Sequence, residues 1–184
     1  MKHILQTLVA LAVALLPAMA AQASDDNDFV ARMMQRIEAS PDTYAPSDYK
    51  QITVGPAMMR DVIQMLASTD AASDAVSAED KQVVCELLRS IKSLRILVAS
   101  DHTGAYRTLA DKVIRDNKKI YKKYESSKRN DDKVAARVWT RQNGSKVVEI
   151  IALLDGGGKA GLRILDFTGS FNNDFITLLS KLAD

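Results

Sequence analysis

VAARVWTRQNGSKVVEIIALLDGGGKAGLRILDFTGSFNNDFITLLSKL, residues 134–182, is the stretch whose reading decides the fold. Two strand-like runs flank Asn143-Gly144, residue types that tolerate positive φ and so mark a hairpin. A two-residue turn there sets Trp139 against Val148 and Arg137 against Ile150 on one face, with Thr140 against Val147 and Val138 against Glu149 on the other. Neither face is cleanly apolar, so the pattern leaves open which one takes the helices. After a glycine run, Leu162 to Thr168 reads as a third strand. Phe171, Phe175, Leu178, Leu179 and Leu182 then recur at helical spacing and predict a closing helix.

The residues upstream supply cover and further strands. Phe29, Val30, Met33, Met34 and Ile37 make one apolar stripe of a helix that ends before Pro41. Tyr49 to Val54 is a short strand, and Gly55-Pro56 opens a helix with proline in its first turn, where the missing N–H is harmless. Ser68 to Ala78, rich in Ala, Ser, Asp and Thr, reads as a flexible connector. Ser77 and Asp80 resemble a capping box for a helix carrying Val84, Leu87, Leu88 and Ile91. Lys92 to Ser100 is a strand, and Thr103 begins a helix with Tyr106, Leu109, Ala110, Val113 and Ile114 inward. Asn117 can stop that helix, yet Ile120, Tyr121 and Tyr124 continue its phase, so its end is open. This order predicts an α+β fold: a mixed, largely antiparallel sheet with a C-terminal hairpin-strand-helix module and helices packed on it.

The chain begins with Met1-Lys2-His3, runs through apolar Ile4 to Leu16, breaks at Pro17 and reaches Ala21-Gln22-Ala23, with Ala18-Met19-Ala20 as a second small-x-small site. That is the pattern of a cleaved export signal, and residues 1–23 are expected to be removed, leaving 24–184 as a single domain. No later segment approaches the roughly 20 apolar residues of a spanning helix, and no cysteine follows the signal to take a lipid. The expected location is therefore periplasmic or extracellular, without a lipid anchor. Past the signal, 24 Lys and Arg face 23 Asp and Glu, a balance that argues against a global pull toward nucleic acid or membrane. Cys85 is the only cysteine, so no internal disulfide is available and stability must come from burial.

Ile52-Thr53-Val54-Gly55-Pro56-Ala57-Met58-Met59, Ile91-Lys92-Ser93-Leu94-Arg95-Ile96-Leu97, Val147-Val148-Glu149-Ile150-Ile151 and Leu165-Asp166-Phe167-Thr168-Gly169-Ser170-Phe171 follow an export signal. In these features the chain resembles the bacterial family called domain of unknown function 4252. The resemblance implies a small exported envelope protein with no established activity and no catalytic residues to carry over. Many members bear a lipid-attachment cysteine, which this sequence lacks.

Several constellations invite a chemical reading. Asp155-Gly156-Gly157-Gly158-Lys159-Ala160-Gly161 is glycine-rich, but Leu162 and Arg163 follow and the next element is a strand, so a phosphate loop is excluded. Ser100-Asp101-His102 sits where a strand gives way to a helix, and His102 is the only histidine after the signal. Asp101 and His102 are thus the weak catalytic candidates, with helix capping as the plainer role for Ser100 or Asp101. Metal and cofactor sites are not expected: histidine pairs are missing, and the helical phase assigns Met33, Met34, Met58, Met59 and Met65 to core packing. Lys112 to Lys133 holds nine Lys and Arg against four Asp and Glu. Lys118, Lys119, Lys122 and Lys123, extended by Arg137, Trp139 and Arg141 on one strand face, form the expected partner surface, with a solvated basic face as the plainer role. Outside the cytoplasm its expected partner is an envelope protein, an anionic glycan or a lipid head group. A binding domain is the first reading, and a hydrolase or transferase with His102 as general base is the alternative.

Overall fold

The structure, a computed structural model, describes residues 27–68, 85–86, 88–124, 137–155 and 161–173. The export signal, the connector beyond Ser68, the glycine run at 156–160 and the closing helix beyond Asn173 lie outside the described residues. Among those residues no helix is long and apolar enough to cross a membrane.

Helix α1 (Phe29–Glu38) forms where the apolar stripe predicts it, with Phe29, Val30, Met33 and Ile37 buried. Asp28 caps it, its carboxylate accepting from the Ala31 N–H at 2.8 Å, a contact of a kind that contributes about 1 kcal/mol. A short 3-10 turn (Pro46–Asp48) leads into strand β1 (Tyr49–Val54), and α2 (Pro56–Ser68) starts on its proline as expected. Strand β2 is Ile91–Ala99. Ile91, read as the last apolar residue of the preceding helix, instead opens this strand opposite Gly169. Its side chain remains buried in the same cluster as Leu88, so the apolar signal was right and the element wrong. Helix α3 (Thr103–Asp116) stops at Asn117, whose side-chain amide donates to the Val113 carbonyl at 2.8 Å. Tyr121–Lys123 then forms β3, a strand too short to show a periodicity.

The hairpin of β4 (Arg137–Asn143) and β5 (Lys146–Asp155) corrects the expected register. Asn143 is the last strand residue, and Gly144 and Ser145 make the turn between it and Lys146. Gly144 has φ +60, the conformation glycine supplies at the first position of a type II′ turn. A bulge at Arg141/Gln142 adds one more residue, so Trp139 pairs with Ile151 rather than Val148, Thr140 with Ile150 and Arg137 with Leu153. The displacement places Arg141 opposite Glu149 and Val138 opposite Ala152. Strand β6 runs Leu162–Phe171, so Phe171 ends a strand instead of beginning a helix.

Six strands form one sheet in the order β1-β2-β6-β5-β4-β3, with every neighbouring pair antiparallel. The expected α+β architecture is present: a six-stranded antiparallel sheet with three helices packed on it. β6 occupies the middle, between β2 and β5. Side chains alternate across the strands and feed two cores. One face packs Leu97, Trp139, Ile151, Leu153, Leu162 and Ile164 against α1 and α3. The other packs Ile96, Val138, Ile150, Ala152, Leu165 and Phe167 with Met59 of α2 and Leu88. Met33 and Met59 are buried in these cores, as their helical phase predicts.

Candidate functional site

The end of α3 and the short strand after it project a basic tip. Asn117 closes the helix and its carbonyl accepts from the N–H groups of Ile120 and Tyr121 at 2.9 and 3.0 Å, which fixes a tight turn. Tyr121 points inward: its ring meets Phe29 edge-on at 5.8 Å, and its hydroxyl donates to Glu149 Oε1 at 3.3 Å. The residues around it point outward. Lys112, Arg115, Lys118, Lys119, Lys122 and Lys123 are all exposed. The one acid inside this segment, Asp116, is engaged by Arg36 at 2.9 Å, and Asp111 just before it by Arg137 at 2.8 Å. Among the described residues, none of the six cations has an acidic partner in an ion pair.

The strand residues expected to extend this surface sit differently. Trp139 is only 7% exposed and belongs to the core under α1 and α3. Arg137 stacks over its ring, 5.5 Å from the centroid. Arg141 donates from Nε to Glu149 Oε2. The register explains this arrangement, since it sets Arg137, Trp139 and Arg141 beside Leu153, Ile151 and Glu149 on the face that carries α1 and α3. Of the expected surface, the four lysines are brought together at the tip, and the two arginines and the tryptophan lie behind it.

Behind them is a feature the sequence reading missed. Asp28, Glu149 and Asp166 are each 0–1% exposed, with Arg95 buried among them. The start of α1 is lowered onto two of these carboxylates: Phe29 N–H donates to Glu149 Oε1 at 2.7 Å and Val30 N–H to Asp166 Oδ2 at 2.9 Å. Anions at a helix N-terminus satisfy its free N–H groups and its positive dipole end. Asp28, besides capping, pairs with Arg95 Nε at 3.1 Å. Three carboxyls against two guanidiniums leave one in excess. Burial, then Glu149 and Asp28, raise the Asp166 pKa well above the usual carboxylate range. Burial also raises that of Glu149, against the pull of Arg141, and burial followed by Glu149 raises the Tyr121 phenol. The signal available in the sequence was a lone carboxylate inside an apolar strand, Val148-Glu149-Ile150 and Leu165-Asp166-Phe167. No group of carboxylates, histidines or cysteines among the described residues is arranged to hold a metal.

His102 also has an unexpected partner. Its Nδ1 lies 2.9 Å from Asp48 Oδ2, so the carboxylate that engages it is Asp48 and not Asp101. Asp48 is held in turn: Ser47 Oγ donates to its Oδ1 at 3.2 Å, and the Ser100 N–H to its carbonyl at 3.0 Å. His102 adopts φ 49 at the N-cap of α3, the only non-glycine positive φ among the described residues, and makes no side-chain cap. Beneath it, the buried Tyr106 hydroxyl has no hydrogen-bond partner among the described residues. Burial, with Asp48 adding to it, pushes this phenol up to about 12. The pair orients an imidazole whose side chain is 74% exposed. Asp101 is exposed beside it.

Comparison with known proteins adds the family alone. No curated protein and no solved structure matches the chain. A family model matches residues 45–179, which takes in every strand of the sheet together with α2 and α3 and leaves out α1. The chain therefore belongs to the family described as Domain of unknown function (DUF4252).

Proposed function

We propose that this protein is an exported, non-enzymatic binding domain of the bacterial envelope, and that its basic tip holds an anionic envelope component. The observation that carries this reading is the group of six exposed cations from Lys112 to Lys123, whose neighbouring acids among the described residues, Asp116 and Asp111, are engaged by Arg36 and Arg137. Clustered surface cations attract polyanions, and the attraction fades as salt screens it. The leader pattern supports export, and the absence of a cysteine after it supports a form without a lipid anchor.

The experiment is a binding titration against dextran sulfate, a soluble polyanion, across a salt series. Wild type is expected to bind with an affinity that falls steeply as salt rises. The pair Lys122→Glu and Lys123→Glu is expected to weaken binding by at least about tenfold at low salt, taking about 1 kcal/mol per surface cation. Absence of binding at low salt, or an unchanged affinity in the charge-reversed protein, defeats the proposal.

A second reading, a hydrolase or transferase with His102 as general base, draws on the Asp48 contact, which holds Nδ1 and leaves Nε2 to a substrate proton. It requires that His102→Ala abolish turnover of an ester or phosphoester substrate. Wild-type inertness toward a panel of such substrates removes it.

A further inference from the structure

Ile120 is the only exposed large hydrophobic residue among those described, at 37% exposure, and it sits in the middle of the basic tip. The local sequence is Lys118-Lys119-Ile120-Tyr121-Lys122-Lys123: a lysine pair on each side, one apolar side chain outward, one aromatic inward. An isolated exposed isoleucine is ordinary on a protein surface. This one is set at the end of a closed turn, held from below by Tyr121 and fixed by the two hydrogen bonds to the Asn117 carbonyl. It is thus partly exposed at the end of that turn, with cations on either side.

We infer that the Lys118–Lys123 tip docks on an anionic lipid bilayer, with Ile120 entering the headgroup layer and the four lysines engaging lipid phosphates. The inference rests on the polyanion reading above and names its target. The apolar side chain discriminates among targets. A soluble glycan has no apolar layer to receive an isoleucine. A protein interface centres on a larger desolvated apolar patch than one side chain provides. A bilayer offers both halves of the match at the right depth, with phosphates at the surface and acyl chains just beneath. Lysine stems also lie along apolar surface while their heads stay with the phosphates. Each cation near an anionic membrane strengthens binding about fivefold, so four lysines and one isoleucine give reversible surface association, not insertion.

The test uses vesicles of phosphatidylglycerol and phosphatidylcholine in equal parts, with pure phosphatidylcholine vesicles and dextran sulfate alongside. The protein is taken after processing, so that the apolar run Ile4 to Leu16 does not itself bind lipid. Wild type is expected to co-sediment with the anionic vesicles and not with the neutral ones. Ile120→Ser is expected to lower vesicle affinity about tenfold, from the burial of one aliphatic side chain, and to leave dextran sulfate affinity unchanged. Ile120→Trp is expected to raise vesicle affinity, because tryptophan favours the membrane interface. Both variants change an exposed position, and an unchanged thermal transition confirms their fold. Equal vesicle binding by wild type, Ile120→Ser and Ile120→Trp overturns the bilayer inference, as does binding to dextran sulfate without binding to vesicles. Those two results leave the polyanion reading standing, whereas binding to neither probe removes both.

Discussion

At the scale of single residues, Asp166 sets the pH behaviour of the fold. Its pKa in the folded protein lies well above the ordinary 3.8, so the fold favours the protonated form. That contribution is fully present below the ordinary value and is lost as pH rises through the folded one, with a slope of up to about 1.4 kcal/mol per pH unit. Wild type is therefore expected to lose thermal stability from mildly acidic toward alkaline pH. Asp166→Asn keeps an acceptor for Val30 N–H without a charge to bury, and is expected to flatten that slope in a melting series. A variant with the wild-type slope excludes Asp166 as its source. Glu149→Ala strands the Phe29 N–H, the Tyr121 hydroxyl and the Arg141 guanidinium together. It is expected to destabilise the fold by about 3–5 kcal/mol in urea denaturation. Gly169 is constrained by space, because a Cβ there would lie 2.1 Å from the Ser90 carbonyl oxygen, a backbone atom. Gly169→Ala is accordingly expected to lower the denaturation midpoint by more than about 1 kcal/mol in equivalent stability. The sequence showed these residue types but not their roles. A carboxylate in an apolar strand is visible; the helix N-terminus that seats on it comes from more than a hundred residues away.

At the scale of elements, legibility followed periodicity. α1, β1, the start of α2, and α3 carry enough turns or alternations, or a proline in the right place, to be read from local pattern. β3 has three residues and cannot show a period, and Ile91 fits a helical stripe and a strand equally well. The hairpin was recognisable from Asn143-Gly144, but its register depended on which pair forms the turn and on the bulge at Arg141/Gln142. An odd displacement of three residues set Trp139 beside Ile151 and Arg141 beside Glu149, on the face under α1 and α3. For the same reason the four lysines of the expected surface were legible while its strand half was not. α1 carries its own prediction. Asp28→Ala removes both the cap to Ala31 and the partner of Arg95. Hydrogen exchange is expected to show the amides of Phe29 to Met33 losing protection first, ahead of β6. Protection lost equally in both elements counts against a locally weakened α1.

At the scale of the whole molecule, Lys122 and Lys123 serve two purposes at once. They lie on β3, the last strand of the sheet order, where lysines discourage edge-to-edge pairing between copies. Charge reversal there preserves that guard, since glutamates also repel their own kind, so loss of polyanion binding without aggregation isolates the attractive role. Lys118 and Lys119 lie off the strand in the turn and carry no guarding role. The seat of α1 has a further consequence, for the order of assembly. Its first two amides bind carboxylates 120 and 136 residues further along the chain. Helix α1 has no seat for its first two amides until β5 and β6 are in place, so it is expected to settle late. In folding kinetics Phe29→Leu is expected to speed unfolding and leave the folding rate nearly unchanged, whereas Ile164→Val, in the central strand, slows folding. The fold would thus be completed by lowering α1 onto a sheet already built from residues far along the chain.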